Sequence, residues 1–213
     1  MLLKSSISNR GGYEPPIRLA EFSGEWPIVE LCSIANKVTE KNNQRQICEV
    51  FTNSAQLGII SQQDYFDHAI ARENNIDGYY IVSENDFVYN PRISVSAPVG
   101  PINRNKTGKK GVVSPLYTVF RTHDINPVFL EYYFKSCRWH NYMRFNGNTG
   151  ARFDRFSISD ADFFKMPIPL PPVEEQQLIA DYFEKINNTI SHNEEELEKL
   201  KALKESCLQG MFV

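Results

Sequence analysis

The sequence has few cysteines, and none of the paired spacings by which disulfide frameworks and metal sites are recognised. Its four cysteines are far apart and form no C-x-x-C pair: Cys32, Cys48, Cys137 and Cys207. This pattern predicts reduced and mostly buried thiols in a cytosolic protein. The N-terminus has no apolar signal segment, and no apolar run approaches the length of a membrane span. We therefore expect a cytoplasmic protein that does not cross a membrane.

The sequence also lacks a recognisable catalytic or cofactor motif. Seven residues separate Gly100 from Gly108, too many for a phosphate-binding loop, and Lys109 is followed by a second lysine instead of serine or threonine. The tripeptide Asn90-Pro91-Arg92 lacks the second proline and the aromatic residue of the amino-methyltransferase motif. The four histidines have no metal-ligand spacing among themselves or with carboxylates. These absences predict a binding protein without enzymatic activity, cofactor or metal.

The net charge of −3 conceals an uneven distribution of charge along the chain. Residues 90–155 contain eleven lysines and arginines against three acidic residues, which gives this segment a charge of +8. Residues 172–213 contain four lysines and nine acidic residues, which gives −5. A basic globular half and an acidic C-terminal segment indicate different partners for the two parts, and local basicity is what a polyanion-binding face requires.

Two loops, residues 98–111 and 147–156, contain most of the basic residues that are candidates for DNA contact. Both loops also carry glycine, asparagine and threonine. Glycine lets the backbone approach a phosphate, and arginine can donate two hydrogen bonds to a guanine edge. For any single residue the alternative is an ordinary solvated surface charge. We predict DNA contacts from these loops and from one residue nearby: Arg92, Arg104, Lys106, Lys109, Lys110, Asn148, Thr149, Arg152 and Arg155.

Short β-rich runs separated by turn signals predict an α+β fold, with many short strands and some helices in the globular part. The predicted strands span residues 47–52, 79–82, 87–89, 93–95 and 112–120. Asn126-Pro127 predicts the start of a helix whose apolar face carries Phe129, Leu130, Tyr133 and Phe134. Trp26 is predicted to be a packing anchor.

Some forty residues of helical pattern follow the proline-rich segment 167–172. Pro172 suits the first helical position, and Glu174 and Glu175 suit the positive end of the helix dipole. The seam has heptad spacing, with two polar positions that can fix register: Ile179, Phe183, Ile186, Ile190, Asn193, Leu197, Leu200 and Lys204. A helix of this length spans about 60 Å, more than one such domain can cover. The pattern predicts a coiled coil with a partner helix; the alternative is a surface helix docked on its own domain.

The segment Pro169-Leu170-Pro171-Pro172-x-Glu174-Glu175-Gln176 resembles the conserved helical region of type I restriction–modification specificity subunits. The later stretches Leu200-Lys201-x-Leu203-Lys204 and Leu208-Gln209-Gly210-Met211-Phe212 resemble the same region. Phe22-Ser23-Gly24-Glu25-Trp26, and the junction from Gly147-Asn148-Thr149-Gly150 to Ile168-Pro169-Leu170-Pro171, resemble the edges of the family's target-recognition domain. The resemblance covers nearly the whole chain from residue 20 onward.

This resemblance implies a non-catalytic subunit that reads double-stranded DNA with its globular domain. It implies that the helix holds a methyltransferase subunit and, through it, a restriction subunit, which together supply S-adenosylmethionine-dependent adenine methylation and ATP-dependent cleavage. The chain departs from the family because it has one recognition domain and one long helix instead of two of each.

We therefore predict a lead at residues 1–19, a target-recognition domain at 20–170 and a helix for dimerisation and methyltransferase binding at 171–213. Antiparallel packing of two such helices would give a homodimer that reads a bipartite target. Two alternatives stay open: a coiled-coil adaptor whose globular head binds protein, and an orphan DNA methyltransferase fragment. Steep salt dependence of DNA affinity separates the adaptor from a DNA reader, and failure to bind S-adenosylmethionine excludes the fragment.

Overall fold

The computed structural model describes residues 12–65, 76–149 and 153–212. The strands are β1 (Ile28–Glu30), β2 (Ala35–Lys37), β3 (Phe51–Ser54), β4 (Gly58–Ser61), β5 (Tyr80–Val82), β6 (Phe87–Tyr89), β7 (Ile102–Arg104), β8 (Gly111–Val113), β9 (Thr118–Thr122) and β10 (Pro167–Pro169). The helices are α1 (Gln62–Tyr65), α2 (Pro127–Lys135), α3 (His140–Asn146), α4 (Asp160–Phe164) and α5 (Val173–Met211). This mixture of short strands and helices, followed by one long helix, confirms the predicted α+β class.

A four-stranded antiparallel sheet with the order β2-β9-β6-β7 lies at the centre of the globular part. Phe87 in β6 pairs with Phe120 in β9 on one side and with Arg104 in β7 on the other. Because side chains alternate along a strand, Phe87 and Phe120 face one side of the sheet, and their neighbours Val88 and Val119 face the other. All four are buried, so both faces of the central sheet are covered.

The first core lies on the phenylalanine side of the sheet. Phe87 and Phe120 stack with ring centroids 5.3 Å apart, and Phe134 of α2 meets both rings edge-on. Trp26 belongs to this core and is buried, which confirms its prediction as a packing anchor. The predicted start of α2 is also confirmed, because the Asn126 side chain accepts hydrogen bonds from the first free amides of that helix.

The second core lies on the valine side and is smaller. It joins Val88 and Val119 to the β3–β4 hairpin and to the β5–β8 pair, through Phe51, Val82 and Val113. Gly111 is required here because a side-chain carbon at this position would lie 2.3 Å from the Phe51 ring. The two cores together cover both faces of the sheet that contains β7, the strand within the first predicted DNA-contact loop.

Several predicted strand bounds were wrong. No strand forms at residues 93–95, because Ser94 and Ala97 exchange backbone hydrogen bonds in a tight turn. The predicted loop 98–111 contains β7 instead, whose residues pair with β6. The predicted strand 47–52 begins only at Phe51 and continues through Ser54.

The four cysteines were predicted to be mostly buried, and this was wrong because each of them is exposed. They lie apart from the two cores, in connecting segments and on the outer part of α5.

No helix among the described residues is long and apolar enough to cross a membrane. Helix α5 begins at Val173, with Pro172 as its N-cap instead of its first residue.

Candidate nucleic-acid interface and helical arm

Two segments of the globular part, residues 91–94 and 153–156, lie side by side in antiparallel directions, and we call them the arginine ribbon. Arg92 lies directly opposite Arg155. The fold thereby brings together two residues that lie far apart in the sequence and that were both predicted to bind DNA. Backbone hydrogen bonds of 2.8 and 2.9 Å flank the pair, from the Phe156 amide to the Pro91 carbonyl and from the Ile93 amide to the Asp154 carbonyl.

The arginine ribbon has an inner and an outer face. Ile93 and Phe156 pack against the first core, so Arg92 and Arg155, which alternate with them, lie on the outer face. The flanking hydrogen bonds lie on either side of the arginines and not between them. Arg92 and Arg155 are therefore a non-hydrogen-bonded pair, the arrangement in which opposite side chains come closest.

This pairing places two positive charges side by side, which is destabilising in a sheet. The Asp154 carboxylate is 4.0 Å from Arg155 Nε, at the limit of an ion pair. The Arg92 side chain is exposed and forms no hydrogen bond or ion pair with another described residue. A phosphate between the two guanidinium groups would remove their repulsion and accept charge-assisted hydrogen bonds from both.

Asn90 holds the first segment of the ribbon in place. Its side-chain amide donates to the Asn53 carbonyl at 2.9 Å, and its side-chain oxygen accepts from the Arg92 amide at 2.9 Å. Gly100 packs so closely that a side-chain carbon there would lie 2.2 Å from the Asn90 carbonyl oxygen, and its φ is +85°. The sequence comparison with a methyltransferase motif missed this supporting role of Asn90.

The predicted contacts Asn148 and Thr149 lie next to the second segment of the ribbon. Asn148 pairs with Ser157 through two backbone hydrogen bonds of 2.9 and 2.6 Å, which places Asn148 close to the end of that segment. Both Asn148 and Thr149 are exposed. Arg152, also predicted to bind DNA, lies outside the described residues.

The remaining predicted contacts, Arg104, Lys106, Lys109 and Lys110, lie elsewhere. Arg104 pairs with the first residue of β6, whereas Arg92 follows the end of that strand, so the two are roughly 15 Å apart at strand spacing. Lys109 and Lys110 are exposed and have no ion pair among the described residues. The structure therefore divides the predicted contacts into two groups at opposite ends of β6.

Glu131 on α2 takes up two members of the second group. Arg104 Nη2 lies 2.8 Å from its carboxylate, Lys106 Nζ 2.7 Å and Lys135 Nζ 2.9 Å. Burial alone would raise the pKa of Glu131, but hydrogen bonds from Lys106 and Lys135 outweigh it and hold the pKa below its ordinary value. The Arg104 side chain is 10% exposed and that of Glu131 6%, so the guanidinium of Arg104 supports the fold.

Within the described ranges no group of three or more His, Cys, Asp or Glu is placed to hold a metal ion.

The start of α5 is anchored to the globular part by two fully buried polar residues that sequence reasoning missed. Arg18 donates two hydrogen bonds of 2.7 Å to the Glu175 carboxylate, and Trp26 Nε1 donates a third at 3.1 Å. Gln176 accepts from the Asn126 amide at 2.8 Å and donates to the Pro171 carbonyl at 2.8 Å. The Glu-Glu-Gln sequence therefore connects the helix to the domain, in addition to suiting its dipole.

A second set of contacts sets the direction in which α5 leaves the domain. Tyr132 of α2 stacks on Phe183, with ring centroids 4.7 Å apart, and its hydroxyl accepts a hydrogen bond from the Asn187 side chain at 2.7 Å. Ile179 packs against the first core. These first seam residues contact α2 and the core of their own chain, as the docked-helix alternative expected for the whole helix.

Beyond Asn187 the helix has no neighbour among the described residues, and every side chain from 187 to 211 is exposed. The seam residues Ile190, Leu197 and Leu200 are 48%, 51% and 64% exposed. The seam positions Asn193 and Lys204 are exposed with them. Roughly 37 Å of helix, at 1.5 Å per residue, therefore presents an apolar stripe that its own domain does not cover.

The sequence profile described as the type I restriction modification DNA specificity domain matches residues 24–202. A chain from a structure of a type I R-M system, described by its complex assembly and conformational transition, shares the fold with a TM-score of 0.53 and 16% identity, covering 88% of this chain and 50% of that one. The HsdS subunit from Thermoanaerobacter tengcongensis gives a TM-score of 0.48 and 18% identity, covering 84% of this chain and 41% of that one. This chain thus spans half or less of both solved chains. No curated protein matches it significantly.

Proposed function

The chain belongs to the type I restriction modification DNA specificity family, and from this premise we propose that it is the non-catalytic, DNA-reading subunit of a cytoplasmic restriction–modification complex. Methyltransferase and restriction subunits would be directed to the target through it. The observation that carries the proposal is the arginine ribbon, where the exposed Arg92 lies opposite the half-buried Arg155. We assign residues 1–19 to a lead, 20–170 to target recognition and 171–213 to assembly.

The two groups of basic residues have different parts in this proposal. Arg92 and Arg155, with Asn148, Thr149 and Arg152 beside them in sequence, form the principal contact with a phosphate or base edge. Lys109 and Lys110 form a second, peripheral contact to the DNA backbone. Arg104 and Lys106 form ion pairs with Glu131. In this proposal they contact DNA only through the hydrogen-bond donors that these ion pairs leave free.

The exposed part of α5 supports assembly with a second helix. An apolar stripe of this length is unfavourable in water, and heptad spacing fits the side chains of one helix between those of another. We propose that two copies of the chain pair through antiparallel α5 helices, which places their globular parts at opposite ends. Such a homodimer presents two identical reading surfaces to a bipartite, palindromic target.

DNA reading is tested by measuring the affinity of the full chain for a pool of random-sequence duplexes over a range of salt concentration. A reader that neutralises several phosphates loses affinity steeply, with a slope of about −0.9 per phosphate contact. Selection from the pool should then enrich two related half-sites. A chain with no salt-dependent duplex affinity would instead be a protein-binding adaptor, and DNA reading would be excluded.

Self-assembly is tested by the solution mass of the full chain, which is 24.5 kDa per copy. The double change Ile190→Asp and Leu197→Asp should convert a dimer into a monomer, because both side chains lie on the exposed seam. The matched control Asn188→Asp and Ala202→Asp adds the same charge outside the seam and should leave the dimer intact. A wild-type monomer would rule out the homodimer and leave the seam to another subunit.

A further inference from the structure

A large aromatic side chain lies at the outer end of the arginine ribbon without any cover. Phe153 is 86% exposed, in a domain whose other ribbon aromatic, Phe156, is buried in the core. The neighbouring turn, in which Ser94 and Ala97 exchange backbone hydrogen bonds, presents Val95 fully to solvent. Two exposed apolar side chains, Phe153 and Val95, therefore lie within three residues of the paired arginines.

Phe153 lies two residues before Arg155, in a turn at the start of the second segment of the ribbon. The Ile93 amide donates a hydrogen bond to the Asp154 carbonyl, so this turn lies next to the pair of Arg92 and Arg155. Ile93 and Phe156 pack on the core, whereas Phe153 is exposed to solvent. One exposed phenyl ring therefore lies within two residues of the paired arginines.

We propose that Phe153 is an aromatic wedge that enters between stacked bases of the double-stranded DNA held by Arg92 and Arg155; this inference rests on the proposed function. Proteins that bend DNA insert apolar side chains between base steps, and a phenyl ring stacks on any base because every base has a π-face. Phosphates on either side of the opened step are the anions that the arginine pair lacks. The positive charge beside the ring fits a nucleic acid better than an apolar protein surface.

The wedge is tested with the full chain and with the target duplex that the wild-type chain recovers from a random-sequence library. Phe153→Ala should weaken binding by about tenfold without changing the slope of affinity against salt, because no phosphate contact is lost. Its thermal unfolding should match the wild type, since an exposed ring contributes little to the core. Phe145→Ala removes a ring that is 89% exposed in α3 and should leave affinity within about twofold, as expected for a surface change.

A second measurement detects the stacking itself. Phe153→Trp places an exposed indole in a chain whose two natural tryptophans, Trp26 and Trp139, are buried. Its emission should be quenched when the duplex is added, and quenching should be absent in Phe145→Trp. Wild-type affinity in Phe153→Ala, or equal quenching in both tryptophan variants, would overturn the wedge while leaving DNA reading intact. Failure of the wild-type chain to select any duplex would instead overturn the proposed function.

Discussion

At the scale of single residues, two charge arrangements in the globular part contrast with each other. Arg104, Lys106 and Lys135 surround one carboxylate, Glu131, so their repulsion is offset within the fold. Arg92 and Arg155 lie opposite one another, and the carboxylate closest to them, that of Asp154, is 4.0 Å from Arg155 Nε. The basic residues around Glu131 therefore stabilise the free protein. Arg92 and Arg155 instead repel each other in the free protein, and a bound anion would offset this repulsion.

Removal of one arginine of the opposed pair should stabilise the free protein and weaken DNA binding. Arg92→Gln keeps a polar side chain but removes the like-charge contact, so the free energy of unfolding should rise by about 0.5 kcal/mol at low salt. The slope of DNA affinity against salt should fall in magnitude by about one. Urea titration at low and high salt, with a duplex-binding titration, measures both effects. The control Arg144→Gln, an exposed arginine in α3, should change neither quantity much; a loss of stability in Arg92→Gln would contradict the repulsion.

Neutralisation of the buried carboxylate should have the opposite effect on stability. Glu131→Gln leaves the nearly buried Arg104 without its counter-charge, so the free energy of unfolding should fall by about 3 kcal/mol at neutral pH. The pKa of Glu131 is held below its ordinary value of 4.5 in the folded chain. Its stabilising contribution is therefore fully present above that value and is lost as pH falls through the folded pKa.

The difference in stability between wild type and Glu131→Gln should accordingly shrink in acid. Urea unfolding at fixed protein concentration over a series of pH values measures it. Glu198→Gln, on the exposed part of α5, is the matched control and should stay within about 0.5 kcal/mol of wild type. A difference that does not decrease in acid would mean that the ion pairs of Glu131 contribute little.

At the scale of elements, the strongly periodic segments were predictable from sequence and the short paired segments were not. Helix α5 was expected because its seam repeats over many turns, and α2 because Asn126-Pro127 is a strong start signal. Strand β7 was missed because its three residues lie in a stretch rich in glycine, proline and asparagine, where pairing with β6 decides the conformation. Such tertiary pairing overrides local preference.

The same limit applied to the candidate site. Basic residues at 92 and 155 were selected for their charge, but their pairing depends on two chain segments that meet only in the fold. Arg104 was selected by the same criterion and lies in an ion pair with Glu131, which stands 27 positions later in sequence. The buried role of Glu175 was missed because helix-dipole preference accounts for an acidic residue there without any partner.

The orientation of the proposed helix pair can be tested with Cys207, which is exposed near the end of the seam. In an antiparallel pair centred on the middle of α5, the two copies of Cys207 lie roughly 45 Å apart, far beyond disulfide reach. With Cys32, Cys48 and Cys137 changed to serine, mild oxidation should therefore give no covalent dimer, as measured by non-reducing electrophoresis.

A positive control shows that oxidation can trap the pair at all. Asn193→Cys, made in a chain whose four natural cysteines are serine, lies near the middle of α5 and approaches its copy in either orientation. It should give a covalent dimer under the same conditions. Rapid cross-linking through Cys207 would show a parallel pair and exclude the arrangement proposed for a bipartite target.

At the scale of the whole molecule, a rigid junction connects the globular part to the exposed helix. Glu175 and Gln176 fix the start of α5, and the stacking of Tyr132 on Phe183 fixes its direction. A change in the length of α5 should therefore move one globular part relative to the other along the helix axis. In a homodimer the helix would set the distance between the two half-sites.

Deletion of one heptad, residues 194–200, should shorten the preferred spacer between half-sites. The deletion keeps the later seam residues in phase and removes about 10 Å of helix, which corresponds to about three base pairs at 3.4 Å each. Affinity should also fall, because a shift of three base pairs turns one half-site by roughly 100° around the duplex. Selection from libraries in which the wild-type half-sites are separated by spacers of varied length measures both effects. Glu195→Ala with Glu198→Ala alters the same segment without changing its length and should keep the wild-type spacer; an unchanged spacer in the deletion variant would mean that something other than α5 sets the distance.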